Sequence, residues 1–330
     1  MNATGKDPLI IISGPTATGK TALAIDLSKA LSNSNREFVV INFDSLLFYQ
    51  ELNIGTAKPS AQEMSEVPHL GVGVVSITQE FNASRFVEYA TPKIAQIHAE
   101  GKIPILVGGS GFYIRALVKG MYESEAPSEE IRLHCEELLA KCGIEGVREE
   151  LQKVDPESVI ALHPNDHYRN IRALEHYLAT GEALSKQKER FRENGPYDFS
   201  RSQHENWQIH HIYLDIPKEE HWEIIQKRTQ NMIDGGLVQE VKALLENGFA
   251  PELKAFGSIG YKETLDFIAG RFSSEQEWSE RISISTRGLA KAQRTFFKKV
   301  TPKHCYHPLK EAAQILSDAQ AFLCKWPATC

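Results

Sequence analysis

The chain has 330 residues, of which 42% are hydrophobic and 24% are charged, and its net charge at pH 7 is −6. This composition is that of a globular protein long enough for two domains, or for one domain with a large insertion. No apolar run reaches the roughly 20 residues of a membrane span, and the acidic net charge argues against indiscriminate nucleic-acid binding but not against a local basic surface.

The N-terminal residues and the cysteines indicate the cellular compartment of the protein. Residues 1–8 are polar and carry no secretory-signal pattern. The five cysteines have no paired spacing, so we expect a cytoplasmic protein with reduced thiols. We also expect a monomer that makes no contact with a membrane. A loose C-terminal group matches no zinc-site template; its members are His304, Cys305, His307, Cys324 and Cys330.

The first motif is a glycine-rich loop between a predicted strand, residues 9–12, and a predicted helix, residues 21–31. Its spacing, G-x-x-x-x-G-K-T, is typical of the phosphate loops of nucleotide-binding proteins. Backbone N–H groups of such a loop surround a phosphate, Lys20 reaches the outer phosphate, and the Thr21 hydroxyl binds Mg²⁺. The predicted diphosphate-binding residues are Gly14, Pro15, Thr16, Ala17, Thr18, Gly19, Lys20 and Thr21.

A second apolar run, residues 38–43, predicts a strand that ends at Asp44 and Ser45. Strands that alternate with helices favour an α/β fold with a parallel sheet, where ligands bind beyond the carboxyl ends of the strands. Asp44 and the phosphate loop should therefore open into one crevice. From its position alone, Asp44 could be a general base, a Mg²⁺ ligand or a helix N-cap.

The next elements follow the same alternation. Residues 53–59 form a loop that carries Lys58 near the crevice, and residues 72–77 predict a short strand. Residues 83–100 predict a helix, residues 103–107 a third core strand, and residues 112–119 a further helix. The glycine-rich residues 108–111 allow close backbone approach to a ligand.

Between about residues 120 and 192 the strand signals vanish and helical patterns remain, most clearly at residues 128–142 and 165–179. Asn165 and Asp166 are candidate caps for a helix that carries Arg169 and Arg172 on one face. We interpret residues 120–195 as a helical insertion between two parts of the core, residues 1–119 and 196–330. The sequence Asn194-Gly195-Pro196 marks its end.

The second part of the core begins with a predicted strand at residues 207–216. Helices follow: one with Arg228 that ends near residue 235, one at residues 237–247, one that opens at the 257–263 segment, and one at residues 280–299. The last is rich in Lys and Arg without an acid between Arg281 and Lys303, which favours a polyanion partner. The basic residues between Arg169 and Arg192 are diluted by acids, a pattern typical of a solvated helix face.

Taken in order, these motifs resemble those of the tRNA dimethylallyltransferases, from about residue 9 to residue 299. The matching segments are the phosphate loop, DS at 44–45, GTAKP at 55–59, PILVGGSG at 104–111, ND at 165–166, RALE at 172–175, IGYKE at 259–263 and TR at 286–287. The resemblance implies a P-loop-type parallel sheet flanked by helices, with an all-helical insertion domain. It implies transfer of a dimethylallyl group from dimethylallyl diphosphate to N6 of the adenosine 3′ of the anticodon (position 37) in tRNA.

The resemblance also implies residue roles. Asp44 corresponds to the general base, Lys20, Thr21 and Arg228 to the residues that hold the diphosphate, and Mg²⁺ to the cofactor, with Thr21 as its ligand. The implied tRNA contacts are Asp44, Ser45, Leu46, Leu47, Ser110, Arg132, Tyr168, Arg169, Arg172, Ser258, Gly260, Tyr261, Lys262, Lys291, Gln293 and Lys298. The sequence departs from the family pattern at Leu70, Ser110, Ala292 and Phe296.

Three other functions compete with this interpretation. An ATP-dependent kinase shares the phosphate loop and the following carboxylate. An adenylate isopentenyltransferase acts on free nucleotide, so it needs neither the helical insertion nor its arginines. A non-catalytic RNA-binding protein or nucleotide switch would need neither Asp44 nor Arg228.

Overall fold

The computed structural model describes residues 6–32, 36–121, 127–193 and 195–326. Asn194 of the predicted boundary, Cys330 of the C-terminal group and residues 1–5 lie outside them. The strands are β1 (Asp7–Ser13), β2 (Phe38–Asn42), β3 (His69–Leu70), β4 (Ile103–Gly108), β5 (Trp207–Leu214) and β6 (His304–Tyr306). The helices are α1 (Lys20–Ser32), α2 (Ala61–Glu66), α3 (Ala83–Ala99), α4 (Gly111–Lys119), α5 (Glu129–Val154), α6 (Pro156–Ala161), α7 (His167–Thr180), α8 (Leu184–Glu193), α9 (Lys218–Asp234), α10 (Leu237–Glu246), α11 (Tyr261–Ile268), α12 (Glu275–Phe297) and α13 (Ala312–Leu323).

The chain divides into two compact units. The core unit comprises Met1–Lys119 and Tyr197–Cys330, and the helical unit comprises Gly120–Pro196. Among the described helices, none is both long and apolar enough to cross a membrane.

The core unit contains one six-stranded sheet in the order β3-β2-β4-β1-β5-β6, and every pairing is parallel. Its central strands are runs of apolar, mostly β-branched residues that are buried on both faces, as parallel sheets require. The fold class is therefore confirmed as α/β. Because the strands are parallel, the loops after β1, β2 and β4 meet at one edge of the sheet.

Alternate residues of each strand face two different helical layers. Leu9 and Ile11 belong to a cluster that includes side chains of α3, α4 and α12. Ile10 and Ile12 belong to a second cluster, with side chains of α1 and α13. The period of two along β1 thus places the sheet between two apolar cores.

The structure corrects several predicted elements. The strand predicted at residues 72–77 is wrong: β3 is His69–Leu70, and Gly71 and Gly73 then turn the chain with φ of 78° and 62°. Beyond them, Val75 forms an isolated bridge to Tyr49. The basic helix α12 begins at Glu275, five residues earlier than predicted, because Ser274 caps it by accepting a hydrogen bond from the Glu277 N–H.

In the helical unit, α5 continues well past the predicted end at residue 142. Gly143, with φ 67° and ψ −170°, interrupts its helical geometry and leaves a kink inside a longer element. Asp166 caps α7 by accepting the Arg169 N–H. Side chains from four helices form a small apolar core of their own, with Cys135, Val147, Leu151 and Leu174 among its members.

Candidate functional site

A cavity of about 190 Å³ lies at the carboxyl ends of β1, β2 and β4. The phosphate loop, the turn after β2, the loop before α2 and one side chain of α9 surround it. Its lining residues are Thr16, Ala17, Gly19, Lys20, Thr21, Ala22, Val40, Asn42, Asp44, Leu47, Thr56, Ala57, Pro59, His69, Val72, Val107, Gly108 and Arg228. The structure therefore brings Lys20, Thr21, Asp44 and Arg228 together, although they come from three distant parts of the sequence.

The phosphate loop depends on backbone geometry at three positions. Gly14 lies so close to the end of β5 that a Cβ atom would come within 2.5 Å of the Leu214 carbonyl oxygen. Gly19 has φ 76°, and Ala17 has φ 63°, a left-handed conformation that is uncommon for a residue with a Cβ. The Thr18 hydroxyl donates to the Pro15 carbonyl at 2.9 Å and closes the loop from within.

Two cations face the cavity, and neither forms its hydrogen bond with a carboxylate. The Lys20 ammonium donates to the Pro15 carbonyl at 2.7 Å, and the Arg228 guanidinium donates to the Thr56 carbonyl at 3.2 Å. Burial lowers the pKa of Lys20 to about 8, with Asp44 opposing this effect and Arg228 adding to it. Burial also lowers the pKa of Arg228, again opposed by Asp44. A polyanion in this cavity would relieve the cost of holding both charges there.

Asp44 is held by its neighbours in a tight turn. The Asn42 side chain accepts the Asp44 N–H at 2.7 Å and donates to the Asp44 and Gly71 carbonyls. One Asp44 carboxylate oxygen, Oδ1, accepts the Leu46 N–H at 3.1 Å, so the residue does cap the turn that follows. The capping contact uses one of two carboxylate oxygens, and the residue also lines the cavity. Capping and a role in chemistry are therefore compatible at this position.

Ser110 connects the glycine-rich residues after β4 to this turn. Its hydroxyl accepts the Ser45 N–H at 3.1 Å. Gly108 packs against Phe43, where a Cβ would meet the ring at 2.6 Å, so the two loops approach more closely than any side chain would allow. Ser45 and Ser110, to which the family resemblance gives a role in tRNA contact, are thus direct neighbours.

The oxygen ligands that the cavity wall offers to Mg²⁺ include the Thr21 hydroxyl and the Asp44 carboxylate. Mg²⁺ prefers such hard oxygen ligands and commonly binds through one or two carboxylates together with substrate phosphates and water. Among the described residues, no group of three or more His, Cys, Asp or Glu side chains could hold a metal ion. These two oxygen ligands would suit a Mg²⁺ ion.

The segment 258–263 lies largely in the interior. Tyr261 is fully buried, and its hydroxyl donates to Glu240 at 2.6 Å. The same Glu240 carboxylate accepts the N–H groups of Asn53 and Ile54, at 3.0 and 2.8 Å, and so fixes the loop whose later residues line the cavity. Of the residues predicted here to contact RNA, Lys262 is exposed, Ser258 is partly exposed, and Gly260 and Tyr261 are buried.

Helix α12 divides its predicted contacts in a similar way. Lys291 and Lys298 are exposed, whereas Gln293 is buried. The Gln293 side chain accepts the Thr16 N–H at 2.8 Å and donates to the Gly109 carbonyl at 3.1 Å. It therefore joins the phosphate loop to the loop after β4.

The remaining predicted contacts belong to the helical unit. Arg132 is exposed on α5, and Tyr168 is 73% exposed at the start of α7. Arg169 pairs with Asp166 at 2.6 Å and Arg172 pairs with Glu175 at 2.7 Å, each within one turn of the helix. These arginines thus form a surface whose positive charge is partly neutralised.

Sequence reasoning missed three residues that support the cavity: Asn42, Glu240 and His221. Asn42 had a local signal, since it lies two residues before Asp44 at the end of an apolar strand. Glu240 and His221 had none, because their partners lie about 185 and 205 residues away.

A larger cavity, of about 620 Å³, lies between α1 and α13. Its lining is apolar except for Thr18 and Asp26, and it contains no cation. Converging polar groups mark a site of chemistry better than volume does, so the smaller cavity is the candidate site.

Comparison with known proteins agrees with this geometry. A family described as IPP transferase matches residues 47–300. The chain is 38% identical over 298 residues to a tRNA dimethylallyltransferase of Geobacter sulfurreducens, covering 90% of this chain and 91% of the relative. It is 37% identical over 326 residues to tRNA dimethylallyltransferase 1 of Trichlorobacter lovleyi, covering 96% and 99%.

Solved structures give the same result. A tRNA delta(2)-isopentenylpyrophosphate transferase from Staphylococcus epidermidis superposes with a TM-score of 0.67 at 31% identity, covering 97% of this chain and 99% of that one. A eukaryotic dimethylallyltransferase acting on tRNA superposes with a TM-score of 0.77 at 26% identity, covering 98% and 81%.

Proposed function

The chain belongs to the tRNA dimethylallyltransferase family, and from that premise we propose that it transfers a dimethylallyl group from dimethylallyl diphosphate to N6 of the adenosine 3′ of the anticodon, position 37, in tRNA. The observation that carries the proposal is the cavity shared by Lys20, Arg228 and Asp44. It combines two cations that can bind a diphosphate with one carboxylate that can accept a proton.

The phosphate loop and the two cations hold the diphosphate of the prenyl donor. An allylic diphosphate reacts by breaking its C1–O bond, and the departing diphosphate gains negative charge as the bond breaks. Backbone N–H groups of the loop, with Lys20 and Arg228, stabilise that charge in a partly dehydrated site. Mg²⁺, bound through the Thr21 hydroxyl and the diphosphate, would supply further charge neutralisation.

Asp44 acts on the acceptor. The exocyclic amine of adenine is a weak nucleophile, so it must lose a proton as its nitrogen bonds to C1 of the prenyl group. The Asp44 carboxylate accepts that proton, and diphosphate leaves with the electrons of the broken C1–O bond. The Asn42 hydrogen bonds fix the backbone of Asp44 for this role.

The RNA side of the proposal rests on an unpaired acceptor base. To reach Asp44 in a cavity of about 190 Å³, the adenine must leave its stack, at a cost of a few kcal/mol that surrounding contacts offset. In the core unit, Lys262, Lys291 and Lys298 supply positive charge for contact with tRNA. In the helical unit, Arg132, Arg169 and Arg172 do so. We also propose that the enzyme acts as a monomer, in the cytoplasm where its tRNA substrate lies.

The test is mass analysis of tRNA nucleosides after incubation with dimethylallyl diphosphate and Mg²⁺. Unmodified tRNA should gain one dimethylallyl group per molecule, on the adenosine beside the anticodon. Parallel reactions separate the alternatives. Modification of AMP in preference to tRNA would indicate an adenylate isopentenyltransferase, and transfer of label from γ-labelled ATP to any acceptor would indicate a kinase.

A further inference from the structure

His221 lies on α9, outside the cavity, and is fully buried. Its Nε2 atom is 2.8 Å from the carbonyl oxygen of Thr16, the third residue of the phosphate loop. No step proposed above uses this side chain. It nevertheless contacts the one loop on which diphosphate binding depends.

The neighbours of His221 fix which of its nitrogens carries the proton. Nδ1 lies 2.7 Å from the Arg294 guanidinium, which can only donate, so Nδ1 is the acceptor. Nε2 therefore carries the hydrogen and donates it to Thr16. Arg294 is itself held by Asp215 at 2.7 Å and by the Ile216 carbonyl at 2.9 Å. Burial lowers the pKa of His221, in keeping with a neutral imidazole between these partners.

The contact with Thr16 determines the direction of the next amide group. In a planar trans peptide the C=O and the following N–H point in opposite directions. Because the Thr16 carbonyl points outward to His221, the N–H of Ala17 points away from His221, and Ala17 lines the cavity. Gln293 separately holds the preceding amide by accepting the Thr16 N–H.

Ala17 needs such support, since its φ of 63° is disfavoured for a residue with a Cβ. An unrestrained chain would tend to leave this conformation, and the amide would then turn out of the cavity. The two hydrogen bonds to Thr16 oppose that rotation from outside the site.

We infer that His221 is a positioning residue, whose Nε2–H holds the Thr16 carbonyl outward and thereby directs the Ala17 N–H toward the diphosphate. The inference rests on the proposed function, because the diphosphate of the prenyl donor is the ligand concerned. His221 touches no reacting atom and acts through the loop backbone alone.

The test measures binding of inorganic pyrophosphate with Mg²⁺ by calorimetry in the full chain. His221→Leu fills the space without a donor and should raise the Kd about tenfold, the effect of one lost hydrogen bond in the site. His221→Gln places an amide N–H at a similar reach and should stay within about threefold of the wild type. His210→Leu alters another buried histidine, which stacks on Phe322, and it should change the melting temperature without changing the Kd.

Steady-state kinetics supply a readout that a purely structural role would not move. His221→Leu should raise the KM for dimethylallyl diphosphate and leave the KM for tRNA unchanged. An unaltered pyrophosphate Kd in His221→Leu, or a Kd in His221→Gln as weak as that of His221→Leu, would overturn the inference. If His221→Leu does not fold, His221→Phe, which fills the space with a ring that cannot donate to the Thr16 carbonyl, must show the same selective loss of pyrophosphate affinity.

These results remain distinct from those that bear on the proposed function. A wild-type protein that binds pyrophosphate but modifies no tRNA would reject the proposed function, while the comparison of variants would still decide the role of His221.

Discussion

The cations of the core unit and those of the helical unit are held in opposite ways. Around the cavity, Lys20 and Arg228 donate to backbone carbonyls, and burial lowers the pKa of both. On α7, Arg169 and Arg172 each pair with an acid three residues away on the same helix. Lys20 and Arg228 therefore have no carboxylate as a hydrogen-bond partner, whereas Arg169 and Arg172 each have one.

This difference predicts how much binding free energy an anion gains at each region. A diphosphate in the cavity supplies charge that the protein lacks, so removal of either cation there should be costly. A phosphate at α7 must replace an existing carboxylate, so its net gain is small, as for most exposed ion pairs. We therefore expect catalytic and donor-binding energy to concentrate in the core unit.

The largest effect should come from Asp44, the carboxylate that lines the cavity together with the two cations. Asp44→Asn should lower the single-turnover rate of bound substrate by roughly 10² to 10⁴, the usual contribution of a positioned base, because an amide cannot accept the proton. The affinity for tRNA should stay nearly unchanged. Rapid-quench measurement of prenyl transfer checks this rate.

The capping contact to Leu46 gives this experiment its control. Asp44→Ala should lose about 1 kcal/mol of stability along with the rate, whereas Asp44→Asn should keep most of its stability. A near-normal rate in Asp44→Asn would show that Asp44 serves only as a cap.

Arg228 tests the core side of the comparison directly. Arg228→Met should weaken binding of pyrophosphate by about 10- to 100-fold, since it removes a charge-assisted contact in a buried site. Binding of tRNA should not change, whereas Arg172→Met should leave pyrophosphate binding unchanged and weaken tRNA binding only about threefold. Calorimetry measures the Kd of each variant for pyrophosphate and for tRNA. Equal losses of affinity for both ligands in both variants would show that the two regions do not differ in this way.

The lowered pKa of Lys20 predicts a pH dependence. In the free protein Lys20 loses its proton above about pH 8, whereas a bound diphosphate favours the charged form and raises that pKa. Pyrophosphate affinity should therefore be steady below pH 8 and fall by up to about tenfold per pH unit above it. Titrations between pH 7 and 9.5 measure this. Lys20→Arg keeps its charge throughout, so a decline of equal size in that variant would assign the effect to another group.

The smallest effect should be that of Arg172 on tRNA. Arg172→Ala should weaken binding about threefold and reduce the slope of log affinity against log salt by about 0.7, one phosphate contact on a single strand. Glu175→Gln, which removes the competing carboxylate, should act in the opposite direction. Filter binding over a salt series measures both, and an unchanged slope in Arg172→Ala would leave α7 as a solvated helix face.

The sequence was sufficient where the determining signals are local. Apolar runs predicted β1, β2, β4 and β5, and the spacing of the phosphate loop located one wall of the cavity. Asp44 followed from its place after a strand, because parallel strands carry their sites at one edge. The C-terminal elements gave weaker signals: β6 has three residues, and α13 begins without a side-chain cap.

What the sequence could not predict is the set of long-range supports. Nothing near Glu240 indicates that it fixes the backbone of Asn53 and Ile54. Tyr261 lies within a motif assigned to RNA contact, and only packing shows that Gly55 leaves room for its ring. Such contacts depend on how elements distant in the sequence pack against each other, so they cannot be predicted from one sequence without its fold.

The two hydrogen bonds that hold the Thr16 backbone have a consequence for protein design. Eight-residue phosphate loops are attractive parts for transfer between scaffolds, because the motif is short and its ligand contacts come mostly from the backbone. In this molecule the Thr16 N–H and C=O are held by residues 277 and 205 positions away. A graft of the loop alone would carry the Thr16 N–H and C=O without their hydrogen-bond partners. Ala17 would then be free to relax. The transferable unit is the loop together with one face each of α9 and α12.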